Sequence, residues 1–289
     1  MKQKTLASLN GIMMTRKSKE ELEAIFEKSG IDFAHPGFYN TPEFKAVEKK
    51  APEFIMAYAE YIESHHFEDE YVQRARACVA EVASFMFAEL LRDGRRGACI
   101  DASGVTQKIL EREGIWSYLV CGGARIKFPD SSHIPDSFFR PIVHPDNPAK
   151  TGHAWLCVPP FKVVDITLPV QAYPPRALQY FDGMVIAEQF SSYEPSAGDL
   201  YENALVELVI RQSGKSPTLG DLATPVRRFM DTFPSFGVEY QQLRLKYIPT
   251  NTNALDGEIE ELRNLRLSGI YPAELHNKLL RARELARSQ

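Results

Sequence analysis

The sequence predicts an α+β fold, because helical and strand patterns occupy separate parts of the chain. In the first third, apolar residues recur every three or four positions, which is the spacing of one helix face. In the middle, residues 152–158 and 161–167 are two β-rich runs joined by Pro159-Pro160, a pattern typical of a hairpin. The chain therefore combines helices with antiparallel strands.

The helical first third contains clear start signals. Residues 18–21 match a capping box, and Thr41-Pro42 places a threonine N-cap before a proline at the first helical position. A long helix is predicted over residues 68–92, where valine, methionine and leucine side chains line one side. We assign these helices to an N-terminal region, residues 1–93.

The most informative stretch is residues 97–105, which delivers a cysteine to the start of a helix. From Ala102 onward the apolar residues recur at helical spacing, and the predicted helix ends at Gly114. Cys99 therefore lies in the first turn. The helix dipole and free backbone N–H groups favour an anion there, so we expect a thiolate, which is a nucleophile.

His153 and Asp165 lie on the two strands of the predicted hairpin. Side chains of an antiparallel pair share a face only when they are directly paired or offset by an even number of residues. A regular two-residue Pro159-Pro160 turn would put Asp165 on the opposite face from His153. A Cys-His-Asp triad at these positions therefore requires an odd loop or a β-bulge in the hairpin.

Ordered motifs over residues 95–168 resemble the transglutaminase-like superfamily of papain-like cysteine enzymes. They are Gly-x-Cys-x-x-x-Ser with a helix that ends in Gly-Ile, a strand that ends in Val-Cys-Gly-Gly, His-Ala-Trp, and Val-Asp-Ile-Thr. The resemblance implies a papain-like core in which a nucleophile helix packs on an antiparallel sheet. It also implies Cys99 as nucleophile, His153 as general base and Asp165 as the residue that orients the histidine.

Three further residues belong to the candidate site. Gly97 and Ala98 immediately precede the nucleophile, and Trp155 shares the His153 face of its strand, so we assign all three to substrate binding. The same position would let Trp155 shield the histidine–aspartate hydrogen bond from water. We expect Trp155 and Cys157 to pack against the nucleophile helix.

The implied chemistry is acyl transfer through a thioester on Cys99. Attack of water on that thioester makes the protein an amide or peptide-bond hydrolase, acting on a protein or peptide substrate. This is our leading interpretation, because water needs no acceptor site. Attack of an amine would make it a transamidase, and deamidation of protein glutamines is the related alternative.

Two other interpretations stay open. Arg95-Arg96-Gly97-Ala98-Cys99 is similar to the nucleophile motif of arylamine N-acetyltransferases. That family carries a Val-Gly-Phe-Gly-like run after its aspartate, whereas Ile-Thr-Leu-Pro follows the aspartate here, so we place it second. The remaining alternative is an interaction module that keeps the fold with an inactive site.

Composition sets limits on partners and compartment. The net charge of −4 argues against a general nucleic-acid-binding protein. The four cysteines show no C-x-x-C spacing, which indicates a reducing compartment, and the N-terminus lacks a signal-peptide pattern. No apolar run is long enough to span a membrane. We therefore expect a cytoplasmic protein.

Residues 129–151 are a proline-rich stretch that we expect to border the cleft and to shape substrate selection. Its potential metal ligands are Asp130, His133, Asp136, His144 and Asp146. Nothing in the sequence holds these side chains on a rigid element, and the chain has no phosphate-binding glycine loop. We predict dependence on neither a metal nor a cofactor.

The last part of the chain is predicted to return to helices. Residues 242–248 alternate apolar and polar side chains, which predicts a half-exposed strand that ends a core of residues 94–249. Polar helical patterns follow at 256–266 and 272–287. These form the helical C-terminal segment, residues 250–289.

Overall fold

A computed structural model describes residues 16–143 and 152–288. It has an α+β fold, in which a curled antiparallel sheet is flanked by helices. The end of the proline-rich stretch, with the potential ligands His144 and Asp146, lies outside the described residues.

The N-terminal helices begin where the sequence predicts caps. Their bounds are Lys19–Lys28 (α1), Pro42–Glu48 (α2), Ile55–Ser64 (α3) and Asp69–Asp93 (α4). The capping box of Ser18 and Glu21 is complete, and the Thr41 hydroxyl accepts the Phe44 N–H. The helix that carries Cys99 is Cys99–Arg112 (α5), and Gly114 follows with a positive φ.

Five α-helices of the described residues follow α5, and two of them have only four residues. They span Pro175–Leu178 (α6), Ala197–Leu200 (α7), Asn203–Ser213 (α8), Thr224–Thr232 (α9) and Pro272–Arg287 (α10). Within the described ranges, no helix combines the length and apolar character that crossing a membrane requires.

The described strands form one antiparallel sheet. Their bounds are Tyr118–Lys127 (β1), Ser137–Phe139 (β2), His153–Val158 (β3), Phe161–Asp165 (β4), Val185–Ala187 (β5), Ser191–Ser192 (β6), Phe236–Tyr240 (β7) and Leu243–Asn253 (β8). The order across the sheet is β5-β4-β3-β1-β8-β7-β6, and β2 pairs with β1. Strands β3, β1 and β8 are therefore central.

Each face of the sheet packs into its own hydrophobic cluster. On one face, Ala154 and Leu156 of β3 share a cluster with α5, α4 and α10. On the other face, Trp155 of β3 and Tyr247 of β8 share a cluster with the aromatic side chains of α1–α3. Both terminal helical regions thus pack on the central sheet, and the core has two layers.

Our expectation that Trp155 and Cys157 pack against the nucleophile helix is wrong. Both belong to the cluster on the opposite face from α5. The reason is the period of two along a strand, because the residues of β3 that face α5 are Ala154, Leu156 and Val158.

Two expectations for the C-terminal part also need correction. Residues 256–266 form consecutive turns rather than a helix, with Ile259 and Leu262 buried individually and a positive φ at Gly257. Strand β8 is longer than predicted, and its Tyr247 has no exposed surface. A strand paired on both sides and covered by a helical layer buries side chains that its sequence alternation would leave half-exposed.

The β1–β8 pair contains a register shift at Gly122 that requires a glycine. A Cβ atom at this position would lie 2.0 Å from the Ile248 carbonyl oxygen. We expect Gly122→Ala to lower the free energy of unfolding by about 1–3 kcal/mol, because backbone must move to admit the methyl group. Urea denaturation measures the loss. Gly198→Ala is the control, since its Cβ would meet its nearest neighbour at an ordinary 3.6 Å.

Candidate active site

Cys99 is the first residue of α5 and is almost buried, with 9% of its surface exposed. Gly97 turns the chain toward the helix with φ +74°, and no atom lies within 4 Å of the position that a Cβ would take. Ala98 is the N-cap, and no side chain caps this end of the helix. The first-turn N–H groups therefore point toward the thiol region without a side-chain acceptor, which favours an anion.

Helix α5 is tied directly to the strand that begins with His153. The Ser103 hydroxyl, which is the serine of the Gly-x-Cys-x-x-x-Ser motif, donates to the Ala154 carbonyl at 3.4 Å. Ala154 follows His153 in β3, so this contact fixes the first turns of α5 beside the start of the strand. The serine thus has a structural explanation.

The hairpin contains a bulge of the kind that the triad requires. Val158 pairs with Phe161 around a two-residue turn, but Leu156 pairs with Val164, so β4 has an extra residue between these pairs. One residue beyond the second pair, Asp165 lies opposite Trp155. Since His153 and Trp155 are two residues apart, the bulge brings Asp165 to the His153 face.

His153 and Asp165 form a buried hydrogen-bonded pair. Nε2 of His153 donates to Oδ2 of Asp165 at 2.6 Å, and neither side chain has exposed surface. Nδ1 of His153 is also buried and has no hydrogen-bond partner among the described residues. One ring nitrogen is therefore held by the carboxylate, and the other is left for a reacting group.

The carboxylate of Asp165 is held by four further hydrogen bonds. Its Oδ1 accepts from the N–H and hydroxyl of Thr167, both at 3.0 Å, and from the Leu168 N–H at 2.9 Å. Its Oδ2 also accepts from the Tyr247 hydroxyl at 3.1 Å. Burial alone would raise the pKa of Asp165, but His153 and these N–H donors lower it, so the group stays ionised.

The electrostatics favour a charged imidazole. Burial lowers the pKa of His153, but the charge and hydrogen bond of Asp165 outweigh it, and Cys99 contributes in the same direction. The net result raises the pKa of His153 to about 10. Cys99 and His153 thus lie within interaction range, and at neutral pH the ring carries two protons.

Aromatic side chains enclose the histidine–aspartate pair. The Trp155 ring stacks against His153 with centroids 6.2 Å apart, and Tyr247 lies 4.9 Å from Trp155. The ring of Phe139 also contacts His153, with centroids 5.4 Å apart. We considered two functions for Trp155, contact with the substrate and protection of the histidine–aspartate hydrogen bond from water. Because the side chain has no exposed surface, the arrangement favours the second function.

Sequence reasoning missed Tyr247 as part of the site. The residue was visible only as one apolar position in the alternating stretch 242–248. Asp165 ends β4, whereas Tyr247 lies on β8. The strand order β4-β3-β1-β8 and the shared face of both side chains bring the hydroxyl to the carboxylate, and no local pattern encodes that order.

The other three cysteines have pKa values above that of an ordinary thiol. Burial raises the pKa of Cys78 and of Cys157 to about 11, and that of Cys121 to about 12, where the nearby Cys99 adds to the effect. These thiols are protonated and unreactive near neutral pH.

The histidines and acids of the proline-rich stretch do not gather into a metal site as far as the described residues extend, where no group of three potential ligands is found. Asp136 instead pairs with Arg125 at 2.8 Å.

Comparison with known proteins gives no match. No family model matches the chain, and no curated protein or solved structure is significantly similar to it. The chemistry of the site is therefore inferred from its own residues.

Proposed function

We propose that this protein is a cysteine-dependent hydrolase of amide or peptide bonds that works through a thioester on Cys99. The observation that carries the proposal is the buried His153–Asp165 hydrogen bond of 2.6 Å, with the second ring nitrogen unpaired beside a helix-start cysteine. This is the nucleophile, base and orienting-acid arrangement of cysteine acyl-transfer enzymes. The packing of α5 on the antiparallel sheet supports a papain-like core.

In the first half of the proposed reaction, the proton of Cys99 resides on His153. The Cys99 sulfur attacks the substrate carbonyl carbon, and the carbonyl oxygen gains the negative charge. The backbone N–H of Cys99 at the helix start donates to that oxygen. His153 then gives its proton to the amine nitrogen as the C–N bond breaks, and a thioester remains on Cys99.

In the second half, the neutral His153 accepts a proton from water as the water oxygen attacks the thioester carbonyl. The C–S bond breaks, the carboxylic acid leaves, and the thiolate is restored beside the imidazolium. Asp165 stays ionised throughout, because it accepts hydrogen bonds from four donors besides the imidazole. Its function is to orient the ring and to stabilise its charge.

We propose water as the acyl acceptor, because hydrolysis and transamidation require different binding sites. Hydrolysis needs access only for water, whereas transamidation needs a second binding site for an amine. A protein or peptide substrate in a reducing compartment such as the cytoplasm fits the cysteine usage of the chain. Transfer to an amine remains the alternative outcome of the test below.

A generic acyl donor tests the chemistry without knowledge of the natural substrate. We expect p-nitrophenyl acetate at neutral pH to acylate Cys99 and to release one equivalent of p-nitrophenolate in a burst. Peptide mass mapping should find the acetyl group on Cys99 and not on the three cysteines whose pKa values are raised by burial.

Matched variants make this test decisive. Cys99→Ala should abolish the burst, and Cys121→Ala should keep it, although Cys121 lies near the nucleophile. Acylation of Cys99 that is no faster than that of a free thiol peptide would contradict the proposal. Acylation by acetyl-CoA with subsequent transfer to an arylamine would instead favour the acetyltransferase alternative.

A further inference from the structure

A second cysteine lies on the same side of the sheet as Cys99. Cys121 is half-buried in β1 and packs against the hydrophobic cluster that contains Cys99 and the rest of α5. It pairs directly with Ala154 of β3. The hydroxyl of Ser103, one helical turn after Cys99, donates to the Ala154 carbonyl. Directly paired residues have Cα atoms only about 5 Å apart, so the start of α5 lies next to Cys121.

A separate set of contacts gives the same placement. Cys99 interacts with the imidazole of His153, and His153 pairs directly with Gly122, the residue that follows Cys121. Cys99 and Cys121 also interact electrostatically with each other. The contacts through Ala154 and those through His153 therefore both bring the Cys99 thiol close to the Cys121 thiol.

The other two cysteines lie elsewhere. Cys157 belongs to the cluster on the opposite face of the sheet. Cys78 interacts with Glu113, which follows the last residue of α5. Because α5 has 14 residues, its two ends are about 20 Å apart, and Cys78 is at the end far from Cys99. Of the four cysteines, all of which the structure describes, only Cys121 therefore lies beside Cys99.

We propose that Cys99 is a site of reversible oxidation by hydroperoxides, and that Cys121 is the thiol that converts the oxidised Cys99 to a disulfide. The inference rests on the proposed function, because it requires a thiolate at Cys99. Thiolates react with peroxides to give a sulfenic acid, and a neighbouring thiol turns the sulfenic acid into a disulfide. Thiol reductants reverse a disulfide, whereas they do not reverse further oxidation to a sulfinic acid.

In the first step, the Cys99 thiolate attacks one oxygen of the peroxide. The S–O bond forms as the O–O bond breaks, so Cys99 is oxidised and the peroxide is reduced. With hydrogen peroxide, the second oxygen leaves as hydroxide and takes a proton from the His153 imidazolium to become water. The products are a sulfenic acid on Cys99 and a neutral imidazole.

In the second step, the Cys121 sulfur attacks the Cys99 sulfur. The S–S bond forms as the S–O bond breaks, and the hydroxyl group leaves as water with the proton of the Cys121 thiol. In the resting protein this thiol is protonated and unreactive. The first step removes the negative charge of Cys99, which is one of the two causes that raise the pKa of Cys121. It also places an electrophilic sulfur beside Cys121.

Burial favours the internal thiol over external ones. Only 9% of the Cys99 surface is exposed, which admits hydrogen peroxide more readily than a bulky thiol such as glutathione. A thiol that is held beside the sulfenic acid also acts at a high effective concentration. We therefore expect disulfide formation to be faster than a second oxidation of Cys99.

The test uses hydrogen peroxide in small excess over the protein. Peptide mass mapping without reduction should find a Cys99–Cys121 disulfide in the wild-type protein, and the p-nitrophenyl acetate burst should be lost. Dithiothreitol should then restore at least about 90% of the burst. In Cys121→Ala, the same treatment should leave a sulfinic acid on Cys99, and dithiothreitol should restore at least about threefold less of the burst.

Cys157→Ala is the matched control, because it removes a buried cysteine from the opposite face of the sheet. It should form the disulfide and recover as the wild-type protein does. Cys121→Ser serves as the second variant if Cys121→Ala fails to fold, and the disulfide mapping needs no variant.

The outcomes separate this inference from the proposed function. A protein that acylates Cys99 normally but forms no Cys99–Cys121 disulfide overturns the inference and leaves the proposed function intact. Recovery of the Cys121 variants to the wild-type extent has the same meaning. Failure of p-nitrophenyl acetate to acylate Cys99 overturns both.

Discussion

Asp165→Asn is expected to slow acylation of Cys99 by roughly 10³- to 10⁴-fold while the fold is retained. The aspartate accepts the Nε2 proton of His153 at 2.6 Å, and an asparagine amide can present its N–H₂ group to that nitrogen instead. The imidazole would then adopt the wrong tautomer. The negative charge of Asp165, which stabilises the imidazolium, would also be absent. Stopped-flow measurement of p-nitrophenolate release from p-nitrophenyl acetate gives the rate.

The same substitution should change the titration of His153. In the wild-type protein the pKa is raised above its ordinary value by Asp165, so the imidazolium persists at neutral pH and loses its proton near pH 10. Removal of the carboxylate charge leaves the lowering effect of burial, so deprotonation must move to lower pH. Nitrogen-15 NMR of the imidazole, with His153→Ala to assign the signal, follows the shift directly.

Asp130→Asn is the control, because that carboxylate is 92% exposed and lies outside the site. It should leave both the rate and the His153 titration unchanged. A wild-type rate in Asp165→Asn, or a His153 titration at the same pH in both proteins, would show that Asp165 does not orient the histidine.

Trp155→Ala is expected to lower the free energy of unfolding by about 3–5 kcal/mol. The indole has no exposed surface and fills the space between His153 and Tyr247, so its removal leaves a cavity in a two-layered core. Water that enters this cavity would also weaken the histidine–aspartate pair. Urea denaturation monitored by circular dichroism measures the loss of stability.

Trp155→Phe separates packing from substrate contact. The indole Nε1 is buried and has no hydrogen-bond partner among the described residues, so phenylalanine loses no hydrogen bond and keeps most of the ring. We expect a smaller loss of stability than in Trp155→Ala, because phenylalanine leaves a smaller cavity, and an acylation rate within a few-fold of wild type. A normal stability combined with a large loss of acylation would instead favour direct contact between Trp155 and the substrate.

The local elements that position the site were predictable from the sequence. Caps and apolar spacing indicate α1, α2, α4 and α5, and the structure has helices at these places. The hairpin rule goes further, because a triad at these positions requires an odd loop or a bulge, and the bulge between β3 and β4 is present. Signals of this kind act within a few residues, where backbone geometry and side-chain chemistry dominate.

Other features were not predictable in this way. Residues 256–266 carry a helical pattern of leucine and isoleucine, yet they form turns, and Ile259 and Leu265 join the hydrophobic cluster that contains α4, α5 and α10. Tyr247 gave no sign of its hydrogen bond to Asp165. Contacts between distant segments depend on how the elements pack, and no local pattern encodes them.

The sequence by itself determined that Cys99 starts a helix and that His153 and Asp165 share a hairpin, because both follow from short-range geometry. The tertiary structure decided which face of the sheet each residue occupies and which aromatic rings enclose the histidine. These depend on the strand order β3-β1-β8 and on two helical layers that bury opposite faces of one sheet. Burial then strengthens the electrostatic attraction between His153 and Asp165, because water is excluded from around both side chains.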